Sequence, residues 1–252
     1  MIVNTSIISC RASLLTLVLI LLCTSLAVPS HAASSLMDFE EIPSIRPETT
    51  NGLQAFFQTL DYDWAELDGG VPLLILENIP YDIDQIASIK TKKRAFFMGL
   101  LPMVLLANQE IQKERKDVQL ILSRHGTGQL QDADLERLDK ILKRYGLRGH
   151  PLTDHRLRTR LLRRVDIIPP SLVLAQAANE SAWGTSRFAR EGNNLFGQWC
   201  YESGCGIVPK RRTAGAFHEV ARFDSPADAV ASYLRNLLLN RQSQRRAFVV
   251  GE

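Results

Sequence analysis

The chain reads as an α+β fold that is predominantly helical. Apolar residues recur at helical spacing from Ile83 to about Ser123 and again from Asp132 to Tyr145. Pro169 and Pro170 then open a third, almost wholly apolar helix, and the cysteines of "CYESGC" mark a small hairpin or loop. The 252 residues suffice for one medium domain and a smaller one, and 45% hydrophobic with 23% charged residues is ordinary globular usage, which excludes a disordered or fibrous chain. A formal net charge of +3 is too small to imply a nucleic-acid partner.

The amino terminus points to export. Arg11 precedes the apolar run "LLTLVLILLCTSLAV", Leu14 to Val28, and Ser30, His31 and Ala32 then form a small-x-small cleavage site, so residues 1–32 read as a secretory signal peptide. The run falls short of the ~20 residues that a spanning helix needs, and no later stretch is longer. The mature protein is therefore expected in the periplasm or cell envelope, secreted across the inner membrane and without a stable membrane span. Leu22 is too bulky for a lipoprotein cleavage site before Cys23. Cleavage leaves Cys200 and Cys205 in an oxidising compartment, where a pair separated by four residues predicts a small disulfide. As a zinc site the pair is half complete, since His218 alone does not finish it. No metal and no cofactor are expected.

Residues 33–150 read as a helical accessory region. Its first part, to about residue 50, is rich in Ser, Pro, Glu and Thr and predicts a linker. "GLQAFFQTL" fits a helix, and "GGVPLLILENIP" is a short apolar run between turn residues. The long stripe follows, with Phe96, Phe97, Leu100 and Leu101 before a kink at Pro102 and Val104, Leu105, Ile111, Val118 and Ile121 after it. Glu110 and Glu114 lie one turn apart, but Lys113, Arg115 and Lys116 between and beside them predict a solvated charged face. "RHGTGQ" breaks the helix, and Leu135, Leu138, Ile141 and Leu142 form one face of the next, which Gly146 stops. No catalytic constellation appears in this region.

Residues 151–252 read as a second domain. "RLRTRLLRR", Arg156 to Arg164, has Leu157, Leu161 and Leu162 on one side and arginines on the rest, as an amphipathic surface helix does. The helix opened by Pro169 and Pro170 carries small and apolar groups on all sides until Glu180 in its last turn. A carboxylate taken into a core costs several kcal/mol unless paired, so this reading expects a buried Glu180 with a functional reason to be there. Burial and the negative end of the helix dipole both favour its protonated form, and a held proton can be given to a leaving group.

The motifs "RVDIIPPSLVLAQAANESAWGTSRFA", "GNNLFG", "LFGQWC", "GIVPKRR", "HEVARFDSP" and "FDSPADAVASYLRNL" stand in an order that resembles the bacterial peptidoglycan endo-β-N-acetylglucosaminidases, with a mannosyl-glycoprotein endo-β-N-acetylglucosaminidase-like domain. They are similar above all to the Bax-type branch. The resemblance implies a lysozyme-like domain in which a helical lobe faces a small β-hairpin lobe, with peptidoglycan glycan strands lying between them. It implies Glu180 as general acid at the β-1,4 bond between N-acetylglucosamine and N-acetylmuramic acid. Glu219 is the preferred second catalytic group, with Glu202 and the substrate's own 2-acetamido group left open. Trp183, Asn194, Phe196, Tyr201 and Phe248 are the implied substrate-binding residues, Phe248 standing where the family has a tyrosine. Tyr201 and Tyr233 are possible aromatic contacts, though Tyr233 fits a helical stripe with Val230 and Leu237 and is expected in the core, and Asp224 is expected to cap the helix that begins near Pro226. The chain stops soon after "YLRNL", which reads as a domain truncated at its C-terminus. A non-catalytic wall-binding or scaffold protein with a degenerate groove is therefore the competing expectation.

Overall fold

A computed structural model describes residues 42–210, 212 and 215–240. The expected signal peptide, residues 1–32, and Phe248 lie outside these residues. In chain order, β1 (Ser44–Ile45), α1 (Thr50–Thr59), a single 3-10 turn over Leu67–Gly69 and β2 (Ile75–Leu76) precede the long α2 (Ile89–Gly126). They are followed by α3 (Asp132–Arg144), α4 (His155–Arg164), α5 (Pro170–Glu180), α6 (Arg187–Gly192), β3 (Trp199–Cys200), β4 (Gly206–Ile207), β5 (Glu219–Ala221) and α7 (Pro226–Leu239). The fold is thus helical with two small sheets. No helix among the described residues is long and apolar enough to cross a membrane.

The segment expected as a linker is held down where it is described. Ser44 and Ile45 pair in parallel with Ile75 and Leu76. Thr49 caps α1 by accepting from the Gly52 amide at 3.0 Å, and the Asp82 carboxylate accepts from both the amide and the hydroxyl of Thr50. The apolar run around Leu74 to Leu76 that these bonds position is buried against α2.

α2 is the spine. Pro102 sits inside it, and its missing N–H leaves the Met98 carbonyl, the acceptor one turn back, without a helical partner. The buried Tyr62 hydroxyl fills that role, donating to the Met98 oxygen at 3.2 Å, and the helix continues through the position where the sequence predicted a kink. Burial raises Tyr62 well above the ordinary tyrosine range, which keeps it a donor. Further along, buried Asn108 clamps the chain ahead of α5: its amide nitrogen donates to the Ile168 carbonyl at 2.8 Å and its oxygen accepts from the Ile168 amide at 2.9 Å. Arg115 donates to the carbonyls of Leu162 and Val165, satisfying the C-terminal end of α4.

Glu114 departs from the solvated face expected of it. It is largely covered, accepts from the Tyr145 hydroxyl at 2.6 Å and pairs with Arg144, so it ties α2 to the end of α3. Glu110 pairs with Lys113 on the outside. One contiguous core runs from Leu53 and Phe57 of α1, through Leu100, Met103, Val104 and Ile121 of α2, to Leu161, Val173 and Ala177 of α4 and α5 and Leu234 and Leu238 of α7. The helices expected as an accessory region and those of the second half therefore share their apolar packing, with α2 meeting both α5 and α7.

The β lobe is small. β5 is the middle strand, antiparallel to β3 on one side and β4 on the other, with Trp199 opposite Val220, Cys200 opposite Glu219 and Ile207 opposite Val220. Gly206 permits this close sheet, since a Cβ there would lie 2.0 Å from the Val220 carbonyl oxygen. α7 is capped by Ser225, which accepts from the Asp228 amide at 3.2 Å, rather than by Asp224.

A Tyr62→Phe variant removes the hydroxyl from a buried carbonyl while keeping the ring. Urea unfolding should show a loss of about 1–3 kcal/mol for the uncompensated acceptor, and an unchanged midpoint would refute the role given to Tyr62 in α2.

Candidate active site

α5 ends at Glu180 because the chain then turns through three left-handed residues, Ala182, Trp183 and Gly184, with φ of 51°, 62° and 78°. Two of them are not glycine, and each such residue costs about 1–2 kcal/mol. The turn is held by what surrounds it. The buried Ser181 hydroxyl donates to the Ala177 carbonyl at 2.6 Å and accepts from the Gly184 amide at 2.8 Å, while the Trp183 amide donates to the Ala178 carbonyl at 2.9 Å. The Trp183 indole meets Phe97 and Phe96 of α2 edge to face, with centroids 5.1 and 6.0 Å away, and Lys93 lies over the ring at 4.5 Å. Each aromatic pair is worth about 0.5–1.5 kcal/mol beyond its buried area, so the two together offset part of the strain of the turn, alongside the Ser181 hydrogen bonds. Trp183 is accordingly an anchor for the end of α5, and this packing covers it on the side of α2.

That turn releases Glu180 from the core. The sequence predicted a buried carboxylate; the structure exposes it, because α5 buries Val173, Leu174, Ala177 and Ala178 on one face and Glu180 falls outside that face. Its neighbours are Asn179, whose side-chain amide approaches Glu180 Oε1 at 3.4 Å, and Gly197, where a Cβ would stand 3.7 Å from Glu180 Oε2. Gly197 has a φ of +63°, a conformation that suits glycine, and a bare backbone leaves open space in front of the carboxylate.

Tyr233 of α7 packs against the edge of the core rather than within it. It is half-buried, and its ring lies flat on that of Phe196, centroids 4.0 Å apart and planes within 3°. Burial first, and then the Glu180 carboxylate, raise its hydroxyl above the ordinary value of 10.0, so Tyr233 stands beside Glu180 as a neutral phenol. Phe196 itself is buried and acts as the ledge beneath this ring. The signal for Tyr233 lay in no local spacing; it arises because α7 returns against the residues after α6.

Asn194 departs from its implied role toward substrate. It is 1% exposed, and its side chain is fully engaged: it donates to the carbonyls of Gln198 and Ala221, both at 2.8 Å, and accepts from the amides of Phe196 and Gln198. It shapes the turn that presents Gly197. Gln198 completes the join between lobes, donating to the Ala229 carbonyl at 3.1 Å and accepting from Ser232 at 2.9 Å and Asn236 at 2.8 Å, all on α7.

Glu219 is buried in β5, and both carboxylate oxygens are taken. Oε1 accepts from the Gly204 amide at 3.1 Å and Oε2 from the Gly206 amide at 2.8 Å. These two hydrogen bonds hold its carboxyl below the ordinary value of 4.5. Cys200 and Cys205 are joined by a disulfide with their Cα atoms 6.2 Å apart, so Glu219 and the disulfide brace the same loop. Glu202 is exposed within that loop. Cys200, Cys205 and Glu219 place ligand-type atoms within 4.8 Å of one another, but sulfurs bonded to each other and an amide-filled carboxylate make a poor metal site. Tyr201 is exposed and meets Phe217 edge to face at 6.4 Å.

An exposed carboxylate and a neutral phenol beside a bare glycine, set between a helical lobe and a small sheet, define a class of site suited to proton transfer onto a bound polar chain. Residues 157–249 match the model of the family described as mannosyl-glycoprotein endo-beta-N-acetylglucosaminidase. The chain is similar to protein bax of Escherichia coli (strain K12), with 36% identity over 156 residues, which are 62% of this chain and 54% of that protein. It thus spans about half the length of the curated relative it matches. No solved structure matches the chain.

The Glu219 carboxylate gives a pH test. Its folded value is lowered, so the stability it contributes is complete above pH 4.5 and drains away as pH falls through that lowered value. Wild type should therefore exceed Glu219→Gln in thermal midpoint at neutral pH, with the gap closing in acid; a gap that widens in acid would contradict the brace.

Proposed function

We propose that the protein is a peptidoglycan hydrolase of the cell envelope that cuts the β-1,4 bond between N-acetylglucosamine and N-acetylmuramic acid, with Glu180 as general acid. The observation that carries this reading is the placement of Glu180: freed from the core by a strained, braced turn, and faced by Gly197 and Tyr233. Strain of this kind persists where surrounding structure over-determines it, and it gathers at functional sites.

In the proposed mechanism the glycan strand crosses Glu180 and covers it, which excludes water from the reacting bond. The proton passes to the glycosidic oxygen as the bond to the anomeric carbon breaks, because a sugar alkoxide leaves poorly unless protonated. Glu219 and Glu202 do not supply the second group in this reading: the first is committed to backbone amides, and the second lies on the braced loop. The substrate's own 2-acetamido oxygen attacks the anomeric carbon instead, and water later opens the resulting ring, returning its proton to Glu180. Tyr233, a neutral phenol within the electrostatic reach of Glu180, offers a hydrogen-bond donor to the bound strand.

The export signal at residues 1–32 fits a substrate outside the inner membrane. Purified mature chain and a Glu180→Gln variant, incubated with dye-labelled peptidoglycan sacculi, separate hydrolysis from mere binding. The variant should release dye at least ~100-fold more slowly, as loss of a general acid implies, with its thermal midpoint retained because the residue is exposed. Equal release by both proteins would overturn the assignment, and sacculus binding without release by either would favour the wall-binding scaffold.

A further inference from the structure

The β lobe carries aromatic rings that its own folding does not use. Trp199 is 57% exposed, Tyr201 65% and Phe217 69%. Trp199 stacks on His218 with centroids 4.3 Å apart and planes within 10°, so one indole face is covered and the exposed area lies on the other. Tyr201 and Phe217 form a second, edge-to-face pair beside it. Uncovered rings grouped this way cost a soluble protein hydration free energy and mark a binding surface. The support beneath them is rigid: the Cys200–Cys205 disulfide closes the loop that follows Trp199 and carries Tyr201, and buried Glu219 clamps Gly204 and Gly206 from the strand that Phe217 and His218 lead into. A fixed platform loses little entropy when it binds.

We infer that Trp199, Tyr201, Phe217 and His218 form a saccharide-binding platform that holds the glycan strand on the β lobe beyond Glu180. This rests on the reading of the ligand as a glycan. The open indole face offers a flat π surface to the axial C–H groups of a pyranose, which the ring oxygens polarise. The Tyr201 hydroxyl, the indole N–H and the imidazole supply polar edges for its hydroxyl and acetamido groups, a combination that a lipid tail would not need. The platform is also continuous with the candidate site. Gly197 borders Glu180, and Trp199 and Tyr201 follow it by two and four residues, hence by no more than ~7 and ~14 Å of chain. A strand seated on the indole therefore reaches the Glu180 carboxylate without leaving the surface.

The test uses the mature chain carrying Glu180→Gln, so that the probe is not consumed, titrated with a β-1,4-linked N-acetylglucosamine oligomer. Trp199→Ala and Phe217→Ala are added singly. Affinity should fall at least about tenfold with Trp199→Ala, the change in tryptophan emission on binding should vanish with that ring, and thermal midpoints should hold. Unchanged affinity in both variants, or no binding of the oligomer by the parent, overturns the platform. Sacculi then separate this inference from the hydrolase reading. Cleavage by otherwise wild-type protein that Trp199→Ala leaves unaltered, with affinity also unaltered, removes the platform and leaves the hydrolase. Trp199-dependent oligomer binding without any cleavage keeps the platform and removes the hydrolase.

Discussion

The seating of Trp183 against Phe96 and Phe97 decides where α5 stops, and the rest of the site follows from it. A left-handed tryptophan is unfavourable on its own, so the turn survives only because α2 offers an aromatic seat and Ser181 ties its backbone. With the turn in place, Glu180 lies off the buried face of α5 and beside Gly197.

α2 makes that seat rigid. It presents the same helix to α5 and α7, and its irregular point at Pro102 is repaired by Tyr62 from the preceding loop. Asn108 and Arg115 fix the chain that enters α5, so both ends of this helix are located by one spine. The β lobe is held to α7 by Gln198 and internally by Asn194, Glu219 and the disulfide. Asn194 and Glu219, polar groups that sequence reading gives to substrate, here hold the backbone.

Much of this was legible in the sequence because it is local. Helical periodicity marked α2 and α3, Pro169 and Pro170 marked the start of α5, and the spacing in "CYESGC" marked the cysteines that bridge. What escaped depends on contacts distant in the chain. Glu180 was expected in the core because periodicity cannot foresee a left-handed turn that needs Phe96 and Phe97 to hold it. Tyr233 was given to the core because its stripe on α7 is apolar; it packs at the edge of that core, and the Phe196 on which its ring stacks lies 37 positions earlier. Glu219 was expected to act on substrate because a sequence does not show which amides fill a carboxylate. The segment at residues 42–49 looked like a linker because β1 is only two residues long and its pairing partner comes 31 positions later.

Mass spectrometry of the fragments that purified mature chain releases from peptidoglycan tests the central claim most directly. Proton donation by Glu180 at the N-acetylglucosaminyl bond predicts muropeptides ending in reducing N-acetylglucosamine, and none from Glu180→Gln. Fragments ending in reducing or anhydro N-acetylmuramic acid, or the same products from the variant, would contradict it.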